Sequence, residues 1–426
     1  MNDSFDRSRT HPNDGRLLQG VRVIEVSLLG AAAITTALAD LGAEIIKVEP
    51  PGGDYGREMT WPIIEGDSLL FLHCNRGKRS IMIDLRTEEG VRIFKELVVS
   101  ADVVVEAMRP GALERRGLGY ETLREQNPNI VHVAMSGYGA TGPYRDLPSH
   151  GIAFDAWAGV VQPEIDEAGN CVIPNHVSIG LNAAPLYGAI GILAGIINAR
   201  ATGKGCSLEL SQADAAAAFD WLRVETYKAY ERPEIEVTGN PTDGFERREP
   251  GTAGMRDGVR YQFYESADGF ILFMASERHF WKNFCDGIDR ADLFERWPGA
   301  EFADHARGNE QLRSELAQIF RSETTSHWVS IGEKHNTPIA PVNTTQDLPQ
   351  DPHFVARTDW LPAATHGAEM LPLPLHLSDS AVFHPGRAPA AGEHSEEILR
   401  ELLGYEEDHI AALVDNGIIG TRSNPS

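Results

Sequence analysis

The chain has 426 residues, 42% of them hydrophobic and 23% charged, enough for two domains around a substantial core and inconsistent with wholesale disorder. A formal charge of −24 excludes a general nucleic-acid or anionic-membrane binder, since such surfaces need a basic face to displace counterions. Cys74, Cys171, Cys206 and Cys285 form no CxxC pair, so neither a zinc site nor a disulfide framework is expected, and a reducing cytoplasm fits the chain.

Residues 1–16 are polar, lack the apolar stretch of a signal peptide and read as a flexible tail, and no later run approaches 18 apolar residues. From Gly20 the pattern is an apolar run (VRVIEVS), a small-residue helical segment over 30–41, a stop at Gly42 and a second apolar run (AEIIKVEP), which is a βαβ unit. The unit repeats as SIMIDL, a helix capped by Thr87, and DVVVEAM, and again as YETLREQNP followed by NIVHVAMSG. Strands alternating with helices predict an α/β fold, a parallel Rossmann-like sheet with its ligand sites at the carboxyl ends of the strands. A long small-residue helix over 182–201, the strand CSLELS and an Ala-rich helix over 212–230 complete the first part of this large domain, 17–230. Residues 231–254, rich in Pro, Gly and charge, read as a linker. YQFYESADGFILFMA then opens, as a hairpin, a smaller α/β domain over 255–342, and 343–426 returns to the large domain.

The first strand-to-helix turn, SLLGAAA, carries one glycine where a dinucleotide pyrophosphate needs several for close backbone approach, so NAD and FAD are not expected. An acidic chain holds a phosphate only in a locally basic pocket, and the compact basic clusters are Arg76/Lys78/Arg79 and Arg109/Arg115/Arg116. Each cluster taken alone also reads as a solvated face.

The ordered set GVRVIEVS with ADLGAEIIKVEPPGGD, NRGKRSIMIDL, RPGALERRGLGY, SGYGATGPY and SIGLNAAPLYGAIGILA resembles the family III CoA-transferases, whose fold also serves α-methylacyl-CoA racemase. The resemblance runs from about Gly20 to Ile419. It implies a CoA thioester as substrate rather than a tightly bound cofactor, a carboxylic acid as the second substrate, and two subunits threaded through each other as interlocked rings, as a homodimer or a heterodimer with a related subunit. It lays CoA across the first turn at Leu28 and Leu29, puts Arg76, Lys78 and Arg79 toward its phosphates, and matches Arg115 to an arginine on the CoA nucleotide. Met108 and Arg109 fall in the family's ENFRPG segment, where this chain has AMRPG.

In the family an aspartate attacks the acyl-CoA thioester. Aligned without a gap, that position is Leu181, and neither Gly180 nor Asn182 on either side supplies a carboxylate. Three readings follow from the resemblance. In the first, CoA transfer proceeds through a displaced carboxylate such as Asp155, or with a sister subunit that retains the aspartate. In the second, His150 matches the racemase's catalytic histidine and does proton chemistry at the α-carbon, with Glu277 as its partner. In the third, the chain is a CoA-binding subunit without turnover of its own. His176, and the aromatic residues Phe154 and Trp157, are further pocket candidates.

Overall fold

In a computed structural model, residues 16–239, 245, 247, 255–301, 303–378 and 383–422 are described. The chain divides into two compact units, one formed by 1–220 with 358–426 and the other by 221–357.

The first unit is built on a parallel sheet whose strands come from the apolar runs of the sequence. In chain order its elements are β1 (Arg22–Val26), α1 (Ala33–Asp40), β2 (Glu44–Glu49), β3 (Lys78–Ile83), α2 (Glu88–Val99), β4 (Val103–Glu106), α3 (Tyr120–Gln126), β5 (Val131–Ser136), α4 (Ile152–Trp157), α5 (Ile179–Thr202), β6 (Cys206–Ser211) and α6 (Gln212–Phe219). The spatial order is β6-β5-β4-β1-β2-β3, extended past β3 by the antiparallel pair Ile419–Gly420. The order reverses between β1 and β4, and the crevice at their carboxyl ends is where an open α/β sheet takes its ligand. β1, β4 and most of β2 are buried, which is why they read as continuous rather than alternating apolar runs. One face of the sheet packs under α2 and the C-terminal helices, with Ile93, Phe94, Leu97, Ile398 and Leu413 in that core. The other face carries α1 and α5 through Ile34, Leu38, Ala184 and Ile192.

α5 begins three residues earlier than the periodicity predicts, so Leu181 lies in its first turn. Its glycines let it lie close to the sheet. A Cβ at Gly195 would stand 2.7 Å from Cγ1 of Val131 on β5 and 3.3 Å from Sγ of Cys206 on β6. Val131 is fully buried and β-branched, so it has little freedom to yield. Gly195→Ala is therefore expected to destabilise the protein by about 1–2 kcal/mol, overpacking outweighing the helix-propensity gain. A lower urea midpoint is the check. α5 is also 24 residues long and apolar enough to cross a membrane by composition, which the sequence pattern did not anticipate, but half of its apolar window is buried in the protein. That places it as a sheet-packing helix.

The second unit holds the expected hairpin, Tyr261–Glu265 antiparallel to Phe270–Met274, with Ile339–Pro341 as a third strand beside the latter. Phe273, Trp281, Phe284 and Phe320 form its aromatic core. The division between units differs from the expected one. The helix expected over 212–230 breaks at Asp220, so that Trp221–Ala229 joins the second unit, and 343–357 stays with that unit rather than returning to the first. Most of the expected linker, and residues 1–15 of the expected tail, lie outside the described residues. Arg16 itself is packed over Gly42.

Candidate functional site at the carboxyl ends of the central strands

The turn after β1 is held at both ends by buried ammonium groups. Lys47 Nζ donates to the Ser27 carbonyl at 2.8 Å, and Lys78 Nζ donates to the Ala32 carbonyl at 2.8 Å. Between them Glu25 pairs with Lys78 at 2.8 Å and Lys47 at 3.4 Å, and also accepts from Ser27 and Thr35. Burial alone would raise the Glu25 carboxyl, but the charges of Lys78 and Lys47 outweigh it and hold the carboxyl below its ordinary range. Burial likewise opposes the charge on Lys47, and the carboxylates of Glu25, Asp54 and Glu49 overturn it, raising the ammonium. Within the turn, Leu29 adopts a left-handed φ of 56°, uncommon for a residue with a side chain. Its N–H donates to Asp54 Oδ1 at 3.3 Å, and Asp54 Oδ2 is held by Lys47 at 3.0 Å. A charge-balanced interior therefore fixes the shape of the turn bearing Leu28 and Leu29, both half-buried at the sheet's switch point.

This arrangement corrects the reading of NRGKRS as a phosphate-receptive cluster. Arg76 is buried and forms a two-pronged pair with Asp40 at 2.9 and 2.6 Å, while its remaining nitrogen donates to the His73 carbonyl. Lys78 is spent inside on Glu25 and the turn. Arg79 keeps some exposure but is shared among Glu44, Glu397 and Glu401 at 2.8, 2.6 and 2.9 Å. The matching carboxylates come from β1, β2 and the helix Ser395–Leu403, so these cations neutralise the fold's own acids.

At the carboxyl end of β4 the chain continues through Met108, half-buried against the core, to Arg109 and Arg115, both exposed. Arg115 makes one internal bond, to the Pro110 carbonyl at 3.3 Å, leaving donors of its guanidinium directed to solvent. Glu106, the last residue of β4, is buried with its Oε1 3.5 Å from Nε2 of buried His132 on β5. Burial pushes the Glu106 carboxyl up to about 7 and the His132 imidazole down to about 4.

Leu181 stands at the junction of these parts. Its Cδ1 is 3.2 Å from where a Cβ would sit at Gly151, and its Cδ2 is 3.9 Å from the equivalent point at Gly30. The leucine thus fills the space between the first turn and the residue after His150, and a larger group at Gly151 would collide with it. His150 is exposed at the entry to α4, its carbonyl accepting from Ala153 N–H at 2.8 Å. Pro185, one turn after Leu181, has no N–H to donate to the Leu181 carbonyl, so the helix ladder is open at that residue.

Asp155 is corrected as a displaced nucleophile. Its side chain is fully buried, and Oδ1 accepts the Gly180 N–H at 2.7 Å, doing for α5 the capping that the Ser178 side chain does not. Its Oδ2 lies 3.6 Å from Nε2 of His176, whose Nδ1 is 3.2 Å from the Pro174 carbonyl. The carboxylate locks α4 to the start of α5 and is closed to a thioester. This Asp155–His176 pair was legible only as a displaced carboxylate and a separate pocket candidate, because the fold brings together residues 21 apart in sequence. Glu277 lies in the second unit, half-buried ahead of the helix Arg278–Gly287 and bridged through its backbone to Ala303.

A cavity of about 270 Å³ near this site is lined by Tyr138, Tyr144, Trp157, Glu209 and Asp214 among others. Of these, sequence reasoning named only Trp157 as a pocket residue. SGYGATGPY, which holds both tyrosines, was the available signal. Among the described residues no group of three or more His, Cys, Asp or Glu side chains is placed to hold a metal ion.

Residues 18–395 match the family model for CoA-transferase family III. Succinyl-CoA:glutarate CoA-transferase of Homo sapiens is 29% identical over 97% of this chain and 92% of its own length. The beta subunit of succinyl-CoA–L-malate CoA-transferase from Chloroflexus aurantiacus is 29% identical over 94% of this chain and 98% of its own. Among solved structures, a CaiB/BaiF family protein from Brucella suis is similar with a TM-score of 0.71 at 27% identity, covering 90% of this chain and 99% of that one.

Proposed function

The chain belongs to CoA-transferase family III, and from that premise we propose that it takes part in moving CoA between an acyl-CoA and a carboxylic acid, with the attacking carboxylate supplied by a second, related subunit. The observation that carries this reading is the side chain at the family's nucleophile position. Leu181 is seated against the turn that would carry the thioester, yet it has no group to form a bond with it. The burial of Asp155 removes the nearest substitute. Leu28 and Leu29 on the rigid turn, with Met108, Arg109 and Arg115 across the switch point, are the residues assigned to CoA, the exposed arginines to its phosphates.

A relative named as a beta subunit supports a heteromeric arrangement. The outer face of α5, where Leu186, Tyr187, Ile190 and Ile197 are exposed on a helix whose other side is core, is the kind of surface that subunit association of either sort covers. A cytoplasmic location is part of the reading, and the four cysteines, all free thiols, are consistent with it.

The chemistry balances as two exchanges. The partner's carboxylate attacks the thioester carbonyl and releases CoA thiolate. The thiolate then attacks the resulting anhydride at the enzyme's carbonyl, freeing the first acid and leaving a CoA thioester on the enzyme. The second acid reverses the sequence. The test is to assay the purified chain alone, and with an aspartate-bearing relative, for CoA release from succinyl-CoA and transfer to added dicarboxylic acids. Binding of CoA without transfer by the chain alone, and transfer on adding the partner, are expected. Full transfer by the isolated chain would overturn the proposal.

The exposure of His150 beside the Leu181–Gly151 contact favours one second reading, proton exchange at the α-carbon of an acyl-CoA. It predicts α-deuterium incorporation from heavy water that disappears in His150→Ala. No exchange in the wild-type chain removes it.

A further inference from the structure

We propose that Arg57 is a positioning residue for the CoA site, acting on the turn at Leu28 and Leu29 through Glu49 and Asp54. Arg57 lies in the short helix Gly56–Met59, which follows β2. Its guanidinium joins two parts of the chain. Nη2 donates to both oxygens of Glu49, at 2.9 and 3.1 Å, while Nη1 donates to the Pro389 carbonyl at 3.0 Å and has Asp67 Oδ1 at 3.4 Å. The central carbon of the fork lies 3.7 Å from the ring centroid of buried Phe71, a stacking contact that fixes the direction of its donors.

Glu49 is the last residue of β2 and fully buried, and Arg57 is the one cation within ion-pairing distance of it among the described residues. Glu49 Oε1 also accepts from Ser80 Oγ at 2.6 Å, and its Oε2 accepts the Asp54 N–H at 2.7 Å. Asp54 is thereby aimed at the turn. Its Oδ1 takes the Gly56 N–H at 2.8 Å and the Leu29 N–H at 3.3 Å, the second belonging to the residue whose φ is 56°. Leu29 also rests on the helix of Arg57 directly, its Cδ2 standing 3.3 Å from the place of a Cβ at Gly56. Arg57 therefore reaches the turn by two routes, one of hydrogen bonds and one of packing.

Loss of the guanidinium leaves a buried carboxylate without its counter-charge. Lys47 is already committed to Glu25, Asp54 and the Ser27 carbonyl. The relief open to Glu49 is a shift of the segment 50–56, which carries Asp54 away from Leu29 and lets a left-handed residue relax. The C-terminal part of the unit braces the same segment. Gly392 N–H donates to Ser80 Oγ at 2.9 Å, and a Cβ at Gly53 would stand 2.9 Å from Cβ of Ala391.

This inference rests on the reading of the turn as the seat of CoA's thioester arm. Titration calorimetry on the full chain compares CoA with adenosine 3′,5′-bisphosphate, which has nucleotide phosphates but no pantetheine arm. Loss of positive charge alone would weaken both ligands, so the ratio of their affinities reports the shape of the turn. In Arg57→Met, which keeps an apolar stem over Phe71, CoA is expected to bind about tenfold more weakly and the bisphosphate within about twofold of wild type. Arg57→Lys, which keeps a charge for Glu49, should recover part of the loss. Thermal unfolding sets a temperature at which each variant is folded; should Arg57→Met not fold, Arg57→Lys against wild type carries the same comparison. CoA binding unaltered in the folded variants, or CoA and bisphosphate weakened equally, would overturn the inference and leave the CoA site standing. Wild-type binding of CoA no tighter than of the bisphosphate would instead remove the reading of the turn, and this inference with it.

Discussion

Leu181→Asp is expected to turn the isolated chain into a self-sufficient CoA-transferase, with transfer at least about a hundredfold above the background seen with the wild-type chain alone, ~2.7 kcal/mol off the barrier. The argument is positional. Leu181 lies in the first turn of α5, between the rigid Leu28–Gly30 turn and Gly151, and aspartate is smaller than leucine, so the change introduces a carboxylate without a clash. The helix start already has Asp155 capping Gly180, so the new carboxylate is not needed for that bond. The measurement is hydroxylamine trapping with intact-mass analysis after exposure to succinyl-CoA. A covalent adduct in Leu181→Asp and none in the wild-type chain is the expected pair of results. A variant that binds CoA normally yet forms no adduct would show that the site cannot bring a thioester to residue 181. Comparable adducts in both proteins would show that another residue is the nucleophile.

The sheet was legible in the sequence because β1 to β5 are buried runs bounded by turn residues, and a run such as VRVIEVS has few other ways to fold. Their parallel direction followed from the repeat of the βαβ unit, whereas their spatial order comes from the fold. What the sequence did not reveal was the destination of charged side chains. Arg76 and Asp40 are 36 residues apart and Lys78 and Glu25 are 53 apart, and neither pairing leaves a periodic trace. A basic cluster next to a strand therefore looks the same whether it waits for a phosphate or closes a buried network. Asp155 was misread for a related reason. Its carboxylate was read as free for a thioester, while its real partner is the backbone of Gly180, visible only once α4 and α5 are packed. Leu181, by contrast, was read against the family's aspartate from the motif alone, without any structure. The fold adds that the leucine lies between the first turn and the start of α4, occupying space that a side chain at Gly151 would need.

The Glu106–His132 pair is expected to conceal two large and opposite pH dependences, which single substitutions will expose. Val104 on β4 is in register with His132 on β5, so Glu106 is its diagonal neighbour on the same face of the sheet, and both side chains are buried. Burial raises Glu106 from 4.5 to about 7, with the Leu113 N–H partly opposing the shift, and lowers His132 from 6.5 to about 4. Between about pH 4.5 and 6.5 the folded pair holds one proton, as a carboxylic acid beside a neutral imidazole. For Glu106 the raised value means that stability is fully present below pH 4.5 and is lost as pH rises through 7. For His132 the depressed value means that stability is present above pH 6.5 and is lost as pH falls through 4. The two slopes nearly cancel in the intact protein. Glu106→Gln removes the first alone, so relative to wild type its stability should fall by about 3 kcal/mol on going from pH 8 to pH 4.5. His132→Asn removes the second, and its stability relative to wild type should rise by a similar amount, about 2–3 kcal/mol, over the same interval. Urea midpoints of the three proteins at the two pH values decide the matter. Curves that shift in parallel, with neither variant changing rank between pH 8 and pH 4.5, would show that the pair does not hold its proton in this way.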